Sequence, residues 1–286
     1  MPVHPLVPRF LEKVWGSSTL FPWFPDSSLR IGEVWLEHPS GTPLPLLIKF
    51  LFTTERLSVQ VHPGDSYAQE HHQSNGKTEM WHILRAGPAA QIALGLNQPL
   101  TAAELHADSR SGAIEQKLNW IDVHPGETFF VPAGTIHAIG GGLAVCEIQQ
   151  QSDVTYRLYD YGRPRELHLD RGVEVSDLRK YEQPPEFTGC LAESAYFRTE
   201  RLKVDAGSSI PADPARTFWL ICIEGPSAGQ AWQVDSGTNP IEIPVTGNSV
   251  LIKTFVPQIP LVGCKAAKRF ADLTSTHPHR PVVGNL

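Results

Sequence analysis

The chain reads as an all-β protein built from two β-barrels with a few short helices, and three features say so. Its 25 prolines and 23 glycines are spread through 286 residues and punctuate short segments rich in Val, Ile, Leu, Phe and Trp, the texture of many strands joined by turns. Helical spacing is confined to a few short stretches. The second half also repeats, faintly and in the same order, segments of the first.

In chain order the strand candidates are "IGEVWLE" (31–37), "LPLLIKFLF" (44–52), "RLSVQVH" (56–62), "EMWHILRA" (79–86), "QIALGL" (91–96), "ETFFVP" (127–132), "LAVCEIQQ" (143–150) and "VTYRLYDY" (154–161). Between them "TAAELHADS" (101–109) and "GAIEQKLNWI" (112–121) read as a helical excursion. "HLDRGVEVSDLRKYEQPP" (168–185) reads as a connector, and a further β-rich stretch runs from Phe187 to Val262.

The repeat lies between the halves. "EMWHILRAG" overlays "TFWLICIEG", setting Trp81 on Trp219. "GETFFVPAGTIH" overlays "GNSVLIKTFVPQ", setting Gly126 on Gly247, and "VQVHPG" overlays "LKVDAG", setting Gly64 on Gly207. The expected division is residues 1–165 as a first unit, 166–186 as a connector and 187–286 as a second unit. The tail "STHPHRPVVGNL" is polar and proline-rich and should be loosely ordered.

Composition bounds the function. A formal net charge of −6 excludes a dominating basic surface, and with it a nucleic-acid binder. A phosphorylated small substrate stays open, since it needs only a few local cations. Cys146, Cys190, Cys222 and Cys264 are widely spaced with no CxxC pair, as in a reduced cytosolic protein. The start "MPVHPLVPRFLEKVWG" has no signal-peptide core. The most apolar run, "PLPLLIKFLF", holds a lysine and falls far short of the roughly 20 residues a membrane span needs. A soluble, cytoplasmic protein is expected.

The chemistry concentrates in two stretches. In "LSVQVHPGD" the alternation sends Gln60 and His62 to one side and Val59 and Val61 to the other. In "GETFFVPAGTIHAIGGG" a strand ends at Pro132 and Gly134, which suit a tight turn, and His137 follows at the start of the next strand. The pattern G-x5-P-x-G-x2-H, with an earlier His and Glu on neighbouring strands, is the signature of cupin jelly-roll barrels. Gln60, His62, Glu79 and His137 then form a set pointing into one barrel. Two imidazoles, a carboxylate and an amide oxygen make a borderline-hard site that suits zinc and could hold Fe(II), Mn(II) or Ni(II). In the overlay these positions fall on Lys203, Asp205, Thr217 and Gln258, so a metal site is expected in the first unit only. His71, His72, His82 and His124 have no such framework, and the "EHHQ" run reads as a solvated loop.

"LSVQVHPGD", "GKTEMWHIL", "VPAGTIHAIGGGLAVCEIQQQSDVTYRLYDYGR" and the earlier "IGEVW" and "LLIKFL" resemble type I phosphomannose isomerase in its short bacterial form, over nearly all of residues 9–172 and more weakly beyond. The resemblance implies two cupin barrels, a soluble enzyme with one zinc ion per chain, and interconversion of mannose 6-phosphate and fructose 6-phosphate. It implies zinc ligands at Gln60, His62, Glu79 and His137, a catalytic arginine at Arg157, and active-site polar residues at Lys77 and Glu147. Two departures stand out: the large helical insertion of longer members is mostly absent, and Gly76 precedes Lys77 where some members carry a histidine.

Such an isomerisation needs a cation to stabilise enediolate oxygens, a base to move a proton between C2 and C1, and a cradle for the phosphate. By alternation Glu147 shares the interior face with Val145 and Gln149 and could hold a ligand or a sugar hydroxyl, or act as base. Arg157 stays charged and cannot be that base. Lys77 could reach a sugar oxygen or the phosphate, and Ser58 and Arg163 are further phosphate candidates because they lie near the ligand strand and the Arg157 strand. Three rivals stand beside this reading: an isomerase for another phosphosugar such as glucose 6-phosphate, which the same ligands would serve, a non-catalytic metal- and sugar-binding cupin, and a metal-dependent oxygenase. A binder has no use for Lys77, Glu147 and Arg157 together. The glutamine speaks against an oxygenase.

Overall fold

The computed structural model describes residues 3–183, 187–242 and 245–257. Cys264, Gln258, the tail and the end of the second β-rich stretch lie outside them.

The first half runs β1 (Val3–Pro5), β2 (Val7–Ser17), β3 (Ile31–Glu37), β4 (Leu46–Phe52), β5 (Val59–Val61), α1 (Asp65–His72), β6 (Glu79–Ala86), β7 (Gln91–Leu96), α2 (Ala102–Ser111), β8 (Leu118–Asp122), β9 (Thr128–Val131), β10 (His137–Ile139), β11 (Leu143–Gln150), β12 (Tyr156–Tyr159) and α3 (Leu169–Val175). There follow β13 (Ala192–Glu193), β14 (Arg198–Val204), β15 (Ser209–Ile210), β16 (Phe218–Glu224), β17 (Ala231–Val234), β18 (Ile241–Glu242) and β19 (Ser249–Phe255). The protein is therefore mostly β-sheet, as its turn-rich sequence predicts.

Two sheets face each other in the first half, one ordered β2-β3-β4-β11-β6-β9 and the other β12-β5-β10-β7-β8. Trp15, Leu51, Trp81, Ile83, Ile92, Leu94, Ile139 and Val145 fill the space between them. The outer face of the five-stranded sheet carries Val59, Val61, Ala93 and Tyr156, covered by Leu105 of α2 and Val173 of α3. The outer face of the six-stranded sheet (Val34, Ile48, Phe50, Phe52, Cys146, Ile148) packs on Phe197, Trp219, Ile221 and Ile252 from the second half. Because β4 and β11 are covered on both faces, all their residues are buried, which is why their sequences read as nearly continuous apolar runs.

The second-half sheet runs β1-β17-β16-β19-β14-β13, so the N-terminal strand pairs with strands more than two hundred residues away. In each half the tryptophan-bearing strand lies antiparallel to the strand that the overlay matches: β6 beside β9, and β16 beside β19. The registers differ, since Trp81 faces Phe129 while Trp219 faces Thr254.

Three segments depart from the sequence reading. "EHHQ" is not a solvated loop along its length: Glu70, His71 and His72 belong to α1, and the His72 ring meets the Tyr156 hydroxyl. The stretch read as a connector contains α3, whose packing on β12 supplies what its weak helical pattern lacks. Of "GAIEQKLNWI", Ala113–Gln116 forms a short helical turn as expected, while Leu118–Asp122 is strand β8 rather than helix. α2 forms where "TAAELHADS" predicts it, its start fixed by a Thr101–Glu104 capping box. No helix among the described residues is long and apolar enough to cross a membrane.

His82 lies on the face of β6 that meets the second half, its Nδ1 2.8 Å from Thr128 Oγ1. Burial, and then the Arg201 guanidinium, hold its pKa down to about 4. An unfolded histidine titrates near 6.5, so between about pH 4 and 6.5 the unfolded chain binds a proton the folded chain refuses. Stability rises with pH across that window and is lost as pH falls. Compared by thermal melts at pH 6.5 and 4, His82→Gln should lose on the order of 2–3 kcal/mol less than the parent. Equal losses would mean His82 is not held neutral.

Candidate metal centre and active-site cleft

His137 opens β10 and is in register with Gln60 of β5, so both side chains project from the same face of the five-stranded sheet. His62 follows β5, and Glu79 opens β6 on the facing sheet. His62, Glu79 and His137 are each 1 % exposed, and their potential ligand atoms all lie within 4.8 Å of one another. Glu79 Oε2 is 3.6 Å from His62 Nε2, and Oε1 is 3.5 Å from His137 Nε2. The Gln60 amide nitrogen stands 3.2 Å from His137 Nε2.

The surroundings fit a cation. His62 Nδ1 donates to Val154 O at 3.0 Å and His137 Nδ1 to Thr135 O at 2.8 Å. These bonds fix the tautomer that turns each Nε2 lone pair toward the cluster, the arrangement metal-binding histidines adopt. Burial, then the Lys77 charge, push His62 well below its usual range, and burial takes His137 down to about 3, so both rings are neutral near pH 7. Burial, reinforced by Glu147 and opposed by Lys77 and Lys49, raises Glu79 to about 7. Glu79 Oε2 has no well-formed hydrogen bond. The Lys77 ammonium supplies the local positive charge, 3.0 Å from His62 Nε2 and 3.4 Å from Glu79 Oε2.

A cleft of about 310 Å³ opens against Gln60 and Lys77, and Lys49, Glu147, Arg157 and Arg165 line it. Its walls are polar and rich in cations, which suits a sugar carrying negative charge. Glu147 points to this interior: Trp81 Nε1 donates to Oε2 at 3.1 Å, while Oε1 has no well-formed hydrogen bond and lies 3.1 Å from Lys49 Nζ as an ion pair. Burial opposes the charge on Lys49, but Glu147, Glu33 and Glu79 outweigh it and raise its pKa. Arg157 sits opposite Gln60 in the β5–β12 pairing. Its Nη1 donates to Glu166 O at 2.7 Å while its buried Nε has no partner.

Of the other sequence candidates, Ser58 is buried and lines the cleft. Arg163 does not reach the lining. Its guanidinium donates to the Arg56 carbonyl, pairs with buried Asp160 at 3.0 Å and lies over the Tyr161 ring. Arg165 takes the cleft position instead, held by a two-pronged contact to Asp160 at 2.6 and 2.7 Å. Sequence reading missed Lys49, Trp81 and Arg165. The one available signal was the lysine inside "LLIKFLF", since a cation among apolar strand residues has to meet carboxylates somewhere.

Facing β-sheets bury a His–Glu–His cluster that could hold a metal ion beside a cation-lined polar cleft, the arrangement of an enzyme site. No family model matches the chain. It is 34 % identical over 265 residues to mannose-6-phosphate isomerase ManA of Bacillus subtilis, covering 76 % of this chain and 83 % of that protein. It is also 38 % identical over 162 residues to mannose-6-phosphate isomerase of Streptococcus mutans, 52 % of this chain and 51 % of that one. The crystal structure of mannose 6-phosphate isomerase from Bacillus subtilis superposes with a TM-score of 0.75 at 28 % identity, covering 88 % of this chain and 99 % of that one. The chain belongs to the mannose-6-phosphate isomerase family, a family of aldose–ketose isomerases.

Proposed function

We propose that the protein interconverts mannose 6-phosphate and fructose 6-phosphate through an enediol, as a cytoplasmic enzyme with one zinc ion held by Gln60, His62, Glu79 and His137. The observation that supports the reading is a buried neutral-histidine cluster next to Gln60 and Lys77, which line the same cleft as the buried Glu147–Lys49 pair. Bound zinc supplies Lewis-acid polarisation of the sugar oxygens. Glu147 takes the proton from C2 of the aldose and returns it to C1, while a second proton passes from the C2 hydroxyl to the C1 oxygen. Lys49 and Arg157 face the oxygens where negative charge grows, and Lys77 holds a sugar oxygen or the phosphate. Ser58 and Arg165 meet the phosphate, with Arg163 behind Arg165 through their shared Asp160.

We read residues 1–165 as the catalytic unit, 166–186 as the connector and 187–286 as a second cupin-type unit. The overlay positions Lys203, Asp205 and Thr217 carry no imidazole, and the second half braces the outer face of the catalytic sheet. Cys146 and Cys222 form no disulfide with each other, which suits the cytoplasm.

The direct test is turnover of mannose 6-phosphate by metal-stripped protein before and after zinc is added. Activity that returns with zinc supports ion and substrate together. Silence in folded, zinc-loaded protein removes this substrate and sends the search to other phosphosugars.

Arg157→Lys should cut kcat at full zinc content, because an ammonium lacks the planar guanidinium's fork of donors; equal loss of zinc would end its transition-state role. Arg165→Ala should raise KM for mannose 6-phosphate about tenfold, the worth of one charge-assisted contact. An unchanged KM would remove Arg165 from the phosphate.

A further inference from the structure

A row of side chains crosses the six-stranded sheet on its cleft side, one from each of five adjacent strands. It runs Lys13 on β2, Glu33 on β3, Lys49 on β4, Glu147 on β11 and Trp81 on β6. The strand registers set Trp35 opposite Lys49, Lys49 opposite Glu147 and Glu147 opposite Trp81. Lys13 Nζ is 3.0 Å from Glu33 Oε1, and Glu33 Oε2 accepts from Trp35 Nε1 at 2.6 Å and lies 3.8 Å from Lys49 Nζ. The Lys49 ammonium also sits 5.2 Å from the centre of the Trp35 ring. Only Lys13, at the outer end, is substantially open to water.

We propose that Glu33 is a positioning residue for the isomerisation: with Trp35 it fixes the Lys49 ammonium at the cleft wall and keeps it charged while Glu147 carries the substrate's proton. This rests on the isomerase reading above.

The physical need is plain. Lys49 is 4 % exposed, and a buried ammonium without a counter-ion sheds its proton. Glu147 serves as that counter-ion in the resting enzyme, but its charge is cancelled once it takes the C2 proton. At that moment Lys49 would face a neutral acid just as negative charge appears on the sugar. Glu33 is the carboxylate beside Lys49 that the reaction does not consume. Burial pushes Glu33 up, but Lys49, Lys13 and the Trp35 N–H together bring it down to about 2, so it stays ionised throughout. The other titratable groups acting with Lys49 are Glu79 of β6 and His62 after β5, both members of the candidate metal cluster.

Glu33→Gln keeps the shape and an oxygen for Trp35 N–H while removing the charge. The variant should lose about ten- to a hundredfold in kcat, one to two steps of 1.36 kcal/mol, with KM and zinc content near the parent's. If Glu33 acts through Lys49, adding Glu33→Gln to Lys49→Met should cost nothing further. A second readout needs no substrate. Acetic anhydride labelling of Lys49, followed by peptide mass spectrometry, should run at least about tenfold faster in Glu33→Gln, the factor for one unit of pKa. Lys13→Met removes a cation that competes with Lys49 for Glu33, so labelling of Lys49 should slow rather than speed up, and this variant serves if Glu33→Gln does not fold. Unchanged labelling, an unchanged kcat, or losses that add in the double variant would overturn the proposal. Wild-type protein inactive on mannose 6-phosphate would sink the isomerase reading instead, and the labelling ratio would still decide whether Glu33 governs Lys49.

Discussion

Glu79→Gln protein should retain almost no zinc and lose about a thousandfold or more in kcat/KM. Glu79 is the only carboxylate in the cluster, and its two oxygens stand within 3.6 Å of the two histidine Nε2 atoms that face them. An amide keeps the shape but brings no charge, and both histidines are neutral, so nothing else in the set offsets a divalent ion. Lewis-acid stabilisation is worth several kcal/mol, and each 1.36 kcal/mol is tenfold in rate. Zinc stoichiometry by plasma mass spectrometry, beside turnover and a melting curve, checks the result. Full zinc and full rate in a folded variant would remove Glu79 from the metal and undo the site.

The His62–Glu79–His137 cluster was legible because its residues sit at local marks. Gln60 and His62 are the polar members of the alternation along β5 and just past it, and the Pro132–Gly134 turn aims His137 from a few residues away. Lys49 was not legible in that way. Inside an apolar run it argues only against a membrane span, and its meaning comes from Glu147, nearly a hundred residues later, once β4 and β11 lie side by side. Arg165 and Arg163 show the same limit: two arginines two residues apart share Asp160, and the path of the loop alone decides which one faces the cleft. The helices α1 and α3 were missed because their own residues give them little; contacts to Tyr156 and neighbours on β12 hold them. Strand β2 escaped notice since much of its surface is wet and its apolar residues show no clean alternation.

Glu147→Gln should lower kcat by about a hundred- to ten-thousandfold, the usual range for a positioned acid or base, while zinc binds as before. The glutamine oxygen can still accept from Trp81 N–H, so packing around the indole survives. What is lost is the negative oxygen against Lys49 and the lone pair that takes the proton. KM should change little, since the groups assigned to the phosphate end lie elsewhere in the cleft. The sharper measurement follows deuterium: in heavy water the parent should exchange solvent hydrogen into the sugar at C1 and C2 during turnover, and the variant should exchange it far more slowly. Slow exchange with full zinc content assigns the proton transfer to this carboxylate. Exchange at the parental rate would move the base to another group, and Lys49, whose ammonium is held charged by carboxylates on both sides, is the wrong form to be it.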